Sequence, residues 1–127
     1  MSTCTGMVMV VEDDLDVRES MAEVLQDSAY RVVTAINGRD AMQQLRASAE
    51  KPCVILLDIM MPVMDATQFR AEQREDPELN AIPVVLLSAH ARMLETATAL
   101  KVEGALEKPV KLDMLLSTVR RFCVRVA

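Results

Sequence analysis

Four stretches of this chain end in side chains that could together handle a phosphoryl group. Glu12, Asp13 and Asp14 follow one short apolar run, Asp58 follows a second, Ser88 a third, and Lys108 with Pro109 a fourth. Carboxylates brought together repel one another and cannot all ionise cheaply unless a cation shares the space. Oxygen ligands of this kind suit Mg²⁺, which takes a few carboxylates, keeps some of its waters and accepts substrate phosphate. An arriving phosphoryl group would find its charge offset by that ion, by the Lys108 ammonium and by the Ser88 hydroxyl, leaving Asp58 as nucleophile and an aspartyl phosphate as product. Each piece alone has a plainer reading. An acidic triplet is commonly a solvated loop or a helix cap, a lone aspartate or serine is commonly a cap, and a Lys-Pro pair is by default a turn. Only their recurrence at equivalent places in the chain favours the chemistry.

Those places are equivalent if the chain alternates strand and helix, and its hydrophobic pattern does so from end to end. Strands are expected over Met7–Val11, Arg31–Ala35, Cys53–Leu57, Val84–Leu87 and, more weakly, Ala105–Glu107. The second is the most polar and suits a sheet edge. The first helix is expected to open at Asp16 with Glu19 completing a capping box, and to bury Val17, Met21, Val24 and Leu25. Asn37 can cap a second helix carrying Ala41, Met42 and Leu45. A third, near 67–74, has Phe69 as its one strong apolar anchor, and a fourth spans Ala91 to Leu100. The last shows a stripe of Leu112, Leu115, Leu116, Val119 and Phe122, with Arg120, Arg121 and Arg125 late, where positive charge suits the helix dipole. The segment from Glu75 to Pro83 reads as ordinary connection.

The expected architecture is α/β: a doubly wound, five-stranded parallel sheet of order 2-1-3-4-5, the flavodoxin-like (βα)5 arrangement. In such sheets ligands bind beyond the carboxyl ends of the strands, where strand order reverses. The acids, Ser88 and Lys108 all stand there.

Composition narrows the function. With 127 residues, 51% of them apolar, the chain matches one domain with a real core and has no room for a second. A net charge of -5 and a pI near 4.9 argue against a nucleic-acid binder, which needs surplus Lys and Arg. No apolar stretch is long enough to span a bilayer, so no membrane insertion is expected. Cys4, Cys53 and Cys123 show no metal-type spacing and read as reduced thiols of a cytoplasmic protein. The ten methionines and sparse aromatics indicate an adaptable aliphatic core.

From 7 to 123 the chain resembles the receiver domain of bacterial two-component response regulators, in the single-domain, chemotaxis-regulator-like form. Val10-Val11-Glu12-Asp13-Asp14 resembles the family's acidic metal site, and the nine residues from Leu57 to Asp65 resemble its phosphoacceptor segment. Leu87-Ser88-Ala89 and Glu107-Lys108-Pro109 match its hydroxyl and lysine positions. The resemblance implies one receiver over 1–127 without an output domain, phosphorylated on Asp58 by a sensor histidine kinase or phosphotransfer protein. It implies Mg²⁺ held by Asp13, Asp58, Glu12 through water and the Met60 carbonyl. Ser88 and Lys108 would bind phosphoryl oxygens, the Lys108-Pro109 bond would be cis, and the switched face would bind a downstream protein. No turnover is implied beyond self-phosphorylation from a phosphodonor and slow autodephosphorylation.

Three departures accompany the likeness. Ala105 occupies the place where the family usually has a rotating Tyr or Phe, so that aromatic switch is absent. Ala66 replaces a common glycine, implying a different turn into the third helix. Met60 and His90 sit where the family tunes phosphoryl lifetime, and neither is a water-positioning acid or amide, although the His90 ring can hydrogen-bond a water. The rival reading is a pseudo-receiver, a phosphorylation-independent protein-interaction module. An FMN carrier would offer hydrogen-bond donors to phosphate where this chain has acids, and a haloacid-dehalogenase-type enzyme needs a second carboxylate where Met60 stands.

Overall fold

A computed structural model describes residues 6–59, 63–89 and 93–123, without the side chains of Met93 and Leu94. Met60, His90, Ala91, Arg125 and Cys4, named above, lie outside the described residues. The elements alternate as β1 (Met7–Val11), α1 (Leu15–Asp27), β2 (Arg31–Ala35), α2 (Gly38–Ala47), β3 (Val54–Asp58), α3 (Ala66–Glu75), β4 (Val84–Ser88), α4 (Met93–Leu100), β5 (Gly104–Glu107) and α5 (Leu112–Phe122). The strands form one parallel sheet in the order β2-β1-β3-β4-β5, with the polar β2 at an edge as expected.

β1, β3 and β4 are buried at every position, as strands covered on both faces must be. Their side chains still divide by the two-residue period of a strand. Met9, Val11, Ile55, Leu57, Val84 and Leu86 pack with Ala41, Met42 and Leu45 of α2 and Phe69 of α3. Val8, Val10, Val54, Leu56, Val85 and Leu87 pack with Met21 and Leu25 of α1 and Leu115 and Val119 of α5. Two cores result, one on each side of the sheet.

Helix starts follow local chemistry, not always at the expected residue. α1 begins one residue before Asp16, because Asp14 is extended and its carboxylate accepts the Val17 N–H at 3.1 Å. The capping box instead opens α3, where Asp65 Oδ1 accepts the Gln68 N–H at 2.9 Å and Gln68 Oε1 accepts the Asp65 N–H at 3.2 Å. Asn37 caps α2 as expected, accepting the Asp40 N–H at 2.9 Å.

α3 corrects a second expectation. Besides Phe69 it buries Arg70 and Gln73, polar residues that an apolar stripe cannot reveal. Gln73 Nε2 donates to the carbonyls of Leu79 and Ile82 at 3.0 and 2.9 Å, so 75–83 is a loop pinned into the core, with Leu79 fully buried. Arg70 donates to Gln73 Oε1 and to the carbonyls of Leu100 and Lys101, holding the end of α4 against α3.

The cysteine expectation is corrected as well. Cys53 and Cys123 are bonded to each other, their Cα atoms 5.5 Å apart. Seventy residues separate them in the chain, and only the return of α5 to the start of β3 brings them together.

Replacing Gln73 by Leu keeps the volume but leaves the Leu79 and Ile82 carbonyls and one Arg70 donor without their partner. We expect a loss of about 3 kcal/mol in chemical denaturation, at about 1–3 kcal/mol per unsatisfied buried group with partial relaxation.

Candidate functional site

The sheet register brings the candidate residues together. Val11 lies opposite Leu57, so Glu12 leaves β1 level with Asp58 at the end of β3. Asp58 lies opposite Leu87, placing Ser88 next, and Ser88 lies opposite Glu107, placing Lys108 next. Parallel strands all point the same way, so these ends share one rim. Glu12, Asp13 and Asp58 each offer an oxygen to a cluster in which all lie within 4.8 Å of one another.

Burial differs within the cluster. Glu12 is 1% exposed, Asp58 5% and Ser88 2%, while Asp13 faces solvent. The Lys108 ammonium lies 2.5 Å from Glu12 Oε1 and 3.2 Å from Asp58 Oδ1. Burial alone would lower the Lys108 pKa, but the hydrogen bond to Glu12 and the charges of Asp58 and Glu12 outweigh it. The ammonium therefore holds its proton above the ordinary lysine range. Glu12 Oε2 also accepts the Asp14 N–H at 3.2 Å, and Arg18 Nη1 donates to the Glu12 carbonyl at 2.9 Å. Neither contact was foreseen, because both arise where β1 turns into α1.

Glu12, Asp13, Asp14 and Asp58 against the Lys108 ammonium leave a surplus of negative charge in an open cavity of about 620 Å³, which Val17 and Ala89 also line. That surplus, an all-oxygen donor set and open access fit a hydrated divalent cation such as Mg²⁺. Asp13 and Asp58 would hold it directly and Glu12 at one remove, since both Glu12 carboxylate oxygens are engaged, Oε1 by Lys108 and Oε2 by the Asp14 N–H. The Met60 carbonyl, expected as a further ligand, lies outside the described residues.

The segment after Asp58 is tied down from the side. The Gly38 N–H donates to the Met64 carbonyl at 3.2 Å, and a Cβ at Gly38 would stand 2.7 Å from that oxygen. α2 can approach this loop only because its first residue is glycine. Ala66 is an ordinary helical residue, and Val63 carries the left-handed turn with φ of 71°. β-branched residues rarely adopt that conformation, so the turn is held by its surroundings. The Lys108-Pro109 bond is cis, as the resemblance implied. Ala105 lies within β5 opposite Leu86 and packs on the core without an aromatic ring.

A five-stranded parallel sheet with acids, a hydroxyl and a lysine converging on its carboxyl rim defines a doubly wound α/β fold with its candidate site where such sheets bind ligands. The chain belongs to the response regulator receiver domain family, whose sequence model matches residues 8–120. An uncharacterized 14.6 kDa protein of Leptolyngbya boryana is 31% identical over 92% of this chain and 89% of its own. Protein PilH of Pseudomonas aeruginosa is 30% identical over 88% of this chain and 93% of its own. The chemotaxis response regulator CheY4 of Vibrio cholerae superposes with a TM-score of 0.82 at 29% identity, covering 91% of this chain and 97% of that one. Several curated relatives are longer: the chain spans 52% of response regulator Rre1 of a Synechocystis strain. Receiver domains are signalling modules of two-component systems that work with histidine kinases or phosphotransfer proteins. Among the described residues no helix is long and apolar enough to cross a membrane.

Without metal, Lys108→Ala is expected to lower stability by about 2 kcal/mol, because it leaves buried Glu12 and Asp58 unneutralised. The figure is below that for a fully buried pair since the lysine is 22% exposed. Its pKa is raised on folding, so its contribution is complete below the ordinary value of 10.5 and is lost as pH climbs through the higher folded value. The stability gap between wild type and variant should therefore narrow only above about pH 10.5, as read from urea midpoints across pH.

Gly38→Ala should cost on the order of 2 kcal/mol, since a Cβ must push the Met64 backbone aside. Comparing its denaturation midpoint with that of an exposed control substitution on α2, such as Arg39→Ala, tests this.

Proposed function

We propose that this chain is a phosphoacceptor receiver, phosphorylated on Asp58, whose protein-binding surface changes in response. The observation that carries the reading is the Asp58 carboxylate, buried at the rim of an acid cluster with Lys108 at 3.2 Å. An Asp58 oxygen attacks phosphorus in line, the new O–P bond forms as the donor's P–N bond breaks, and the electron pair leaves with the donor imidazole. Mg²⁺ bound by Asp13 and Asp58 would offset phosphoryl charge. Lys108, already beside Asp58, exchanges its carboxylate partners for a phosphoryl oxygen, and the Ser88 hydroxyl donates to another. Moving those two side chains draws on the ends of β4 and β5, which carries the change toward α4 and α5.

The donor would be a phosphohistidine on a sensor kinase or phosphotransfer protein. An apolar groove of about 500 Å³ beside the pocket, lined by Val17, Met21, Pro109 and Val110, offers such a donor a footing. The output partner is a protein, and the site of action is the cytoplasm. Residues 8–120, the span of the family match, act as one receiver. Because Ala105 supplies no ring to rotate, the change reaches α4 and α5 through backbone and Lys108, without an aromatic switch.

Intact-protein mass after incubation with acetyl phosphate should rise by one phosphoryl group in Mg²⁺, not in chelator, and not in Asp58→Asn. Uptake surviving in Asp58→Asn would move the acceptor elsewhere. No uptake by folded wild type in Mg²⁺ would favour a phosphorylation-independent interaction module, a reading that Ala105 supports.

A companion measurement addresses coupling. Lys108→Ala should still gain the phosphoryl group, at a reduced rate, while the change in hydrogen exchange over α4 and α5 seen in phosphorylated wild type disappears. An unaltered exchange response in the variant would remove Lys108 from the switch.

A further inference from the structure

The bonded pair Cys53 and Cys123 lies at the pole of the sheet opposite the acidic pocket. Cys53 immediately precedes β3, the strand that ends in Asp58, and Cys123 caps the last turn of α5, the helix that follows the Lys108 loop. Both sulfurs approach the carbonyl of Met7 at the start of β1, Cys53 at 3.2 Å and Cys123 at 4.0 Å. Three separate parts of the chain meet at this point, and their Cα spacing of 5.5 Å is within the range a disulfide spans.

The two sulfurs are unequally accessible. Cys123 is 3% exposed inside the core shared by α1, α5 and the sheet, whereas Cys53 is half-buried at its margin. A small thiol or disulfide arriving from solvent can therefore reach Cys53 first, with Cys123 held behind it in position to resolve the product.

We propose that Cys53 and Cys123 form a reversible redox site that clips the end of α5 to the sheet. The inference does not depend on phosphorylation at Asp58. Its oxidant is a low-molecular-weight disulfide of the glutathione class. The Cys53 thiolate attacks one sulfur of that disulfide, forming a mixed disulfide and expelling one small thiolate. The Cys123 thiolate then attacks the Cys53 sulfur, forming the internal bond and expelling the second. The protons given up by the two cysteines end on the two released small thiols. Two cysteine thiols are oxidised to one disulfide while one external disulfide is reduced to two thiols, and excess small thiol reverses both steps.

Reduction removes the covalent tie but leaves Leu115 and Val119 packed on the sheet, so the fold persists with a looser α5 end. The other half of α5 borders a groove of about 470 Å³ lined by Ala105, Lys111 and Met114. Redox state at one pole thus sets how firmly the helix beside that groove is held. A clip closing a loop of this length restrains the unfolded chain strongly, so the oxidised form should be the more stable.

The test uses the full chain with Cys4→Ser, leaving only this pair, equilibrated across ratios of reduced to oxidised glutathione. After equilibration of the folded chain without denaturant, an acid quench and alkylation in denaturant followed by intact mass should show both thiols blocked from reducing buffer and neither from oxidising buffer, reversibly. The oxidised form should melt on the order of 10 °C higher, and reduction should raise hydrogen exchange chiefly in the last turns of α5. Adding Cys53→Ser, or Cys53→Ala if that folds poorly, should abolish the redox-dependent shift. A folded protein that keeps two alkylatable thiols at every ratio, or takes up glutathione without closing the internal bond, would overturn the proposal. So would a bond that yields to reductant only after unfolding, which would make it a permanent clip.

Discussion

The geometry of this molecule turns on the repulsion among Glu12, Asp13 and Asp58 and on the one ammonium that offsets part of it. Parallel β1 and β3 cannot both end in acids at the same level without a compensating charge, and Lys108 supplies it from two strands away. Its position requires β5 to be in register with β4 and β4 with β3, so sheet order and site electrostatics are one constraint. The negative charge left unbalanced in the open cavity is what would draw a divalent ion to it.

Around that rim the protein places different kinds of support. β1, β3 and β4 are buried on both faces and packed by aliphatic side chains that leave little room for adjustment. The loop after Asp58 is held laterally by Gly38 on α2, and its left-handed turn at Val63 is maintained by that setting. The far side of the sheet is braced by polar contacts, with Arg70 and Gln73 binding α3 to the end of α4 and to the 75–83 loop. α3 follows the loop after Asp58 and α4 follows Ser88, so these hydrogen bonds join the two helices that lead away from the site.

Ala105 changes how such a domain can transmit a signal. An aromatic ring at this place offers two rotamers and hence a discrete switch, whereas a methyl group offers none. Under the proposed function, coupling would run through the positions of Lys108, Ser88 and the helices themselves. The bond between Cys53 and Cys123 adds a restraint on α5 from the other end, so the helix is fixed near both termini by unrelated chemistry.

Much of this was legible in the sequence because strand and helix periods are local. The runs at 7–11 and 31–35 and the stripe from Leu112 to Phe122 need only neighbouring residues to be recognised, and the gathering of Glu12, Asp58, Ser88 and Lys108 at one rim followed from strand ends in a parallel sheet. What the chain alone could not reveal depended on distant segments meeting. Asp14 rather than Asp16 caps α1, because Asp14 is the residue left extended as β1 ends. Arg70 and Gln73 are core residues only because carbonyls from two loops await them, and polarity gives no hint of a buried partner. Cys53 and Cys123 looked like scattered thiols until α5 returned to the foot of β3. Periodicity reports which face of an element turns inward; only tertiary structure decides what it meets there.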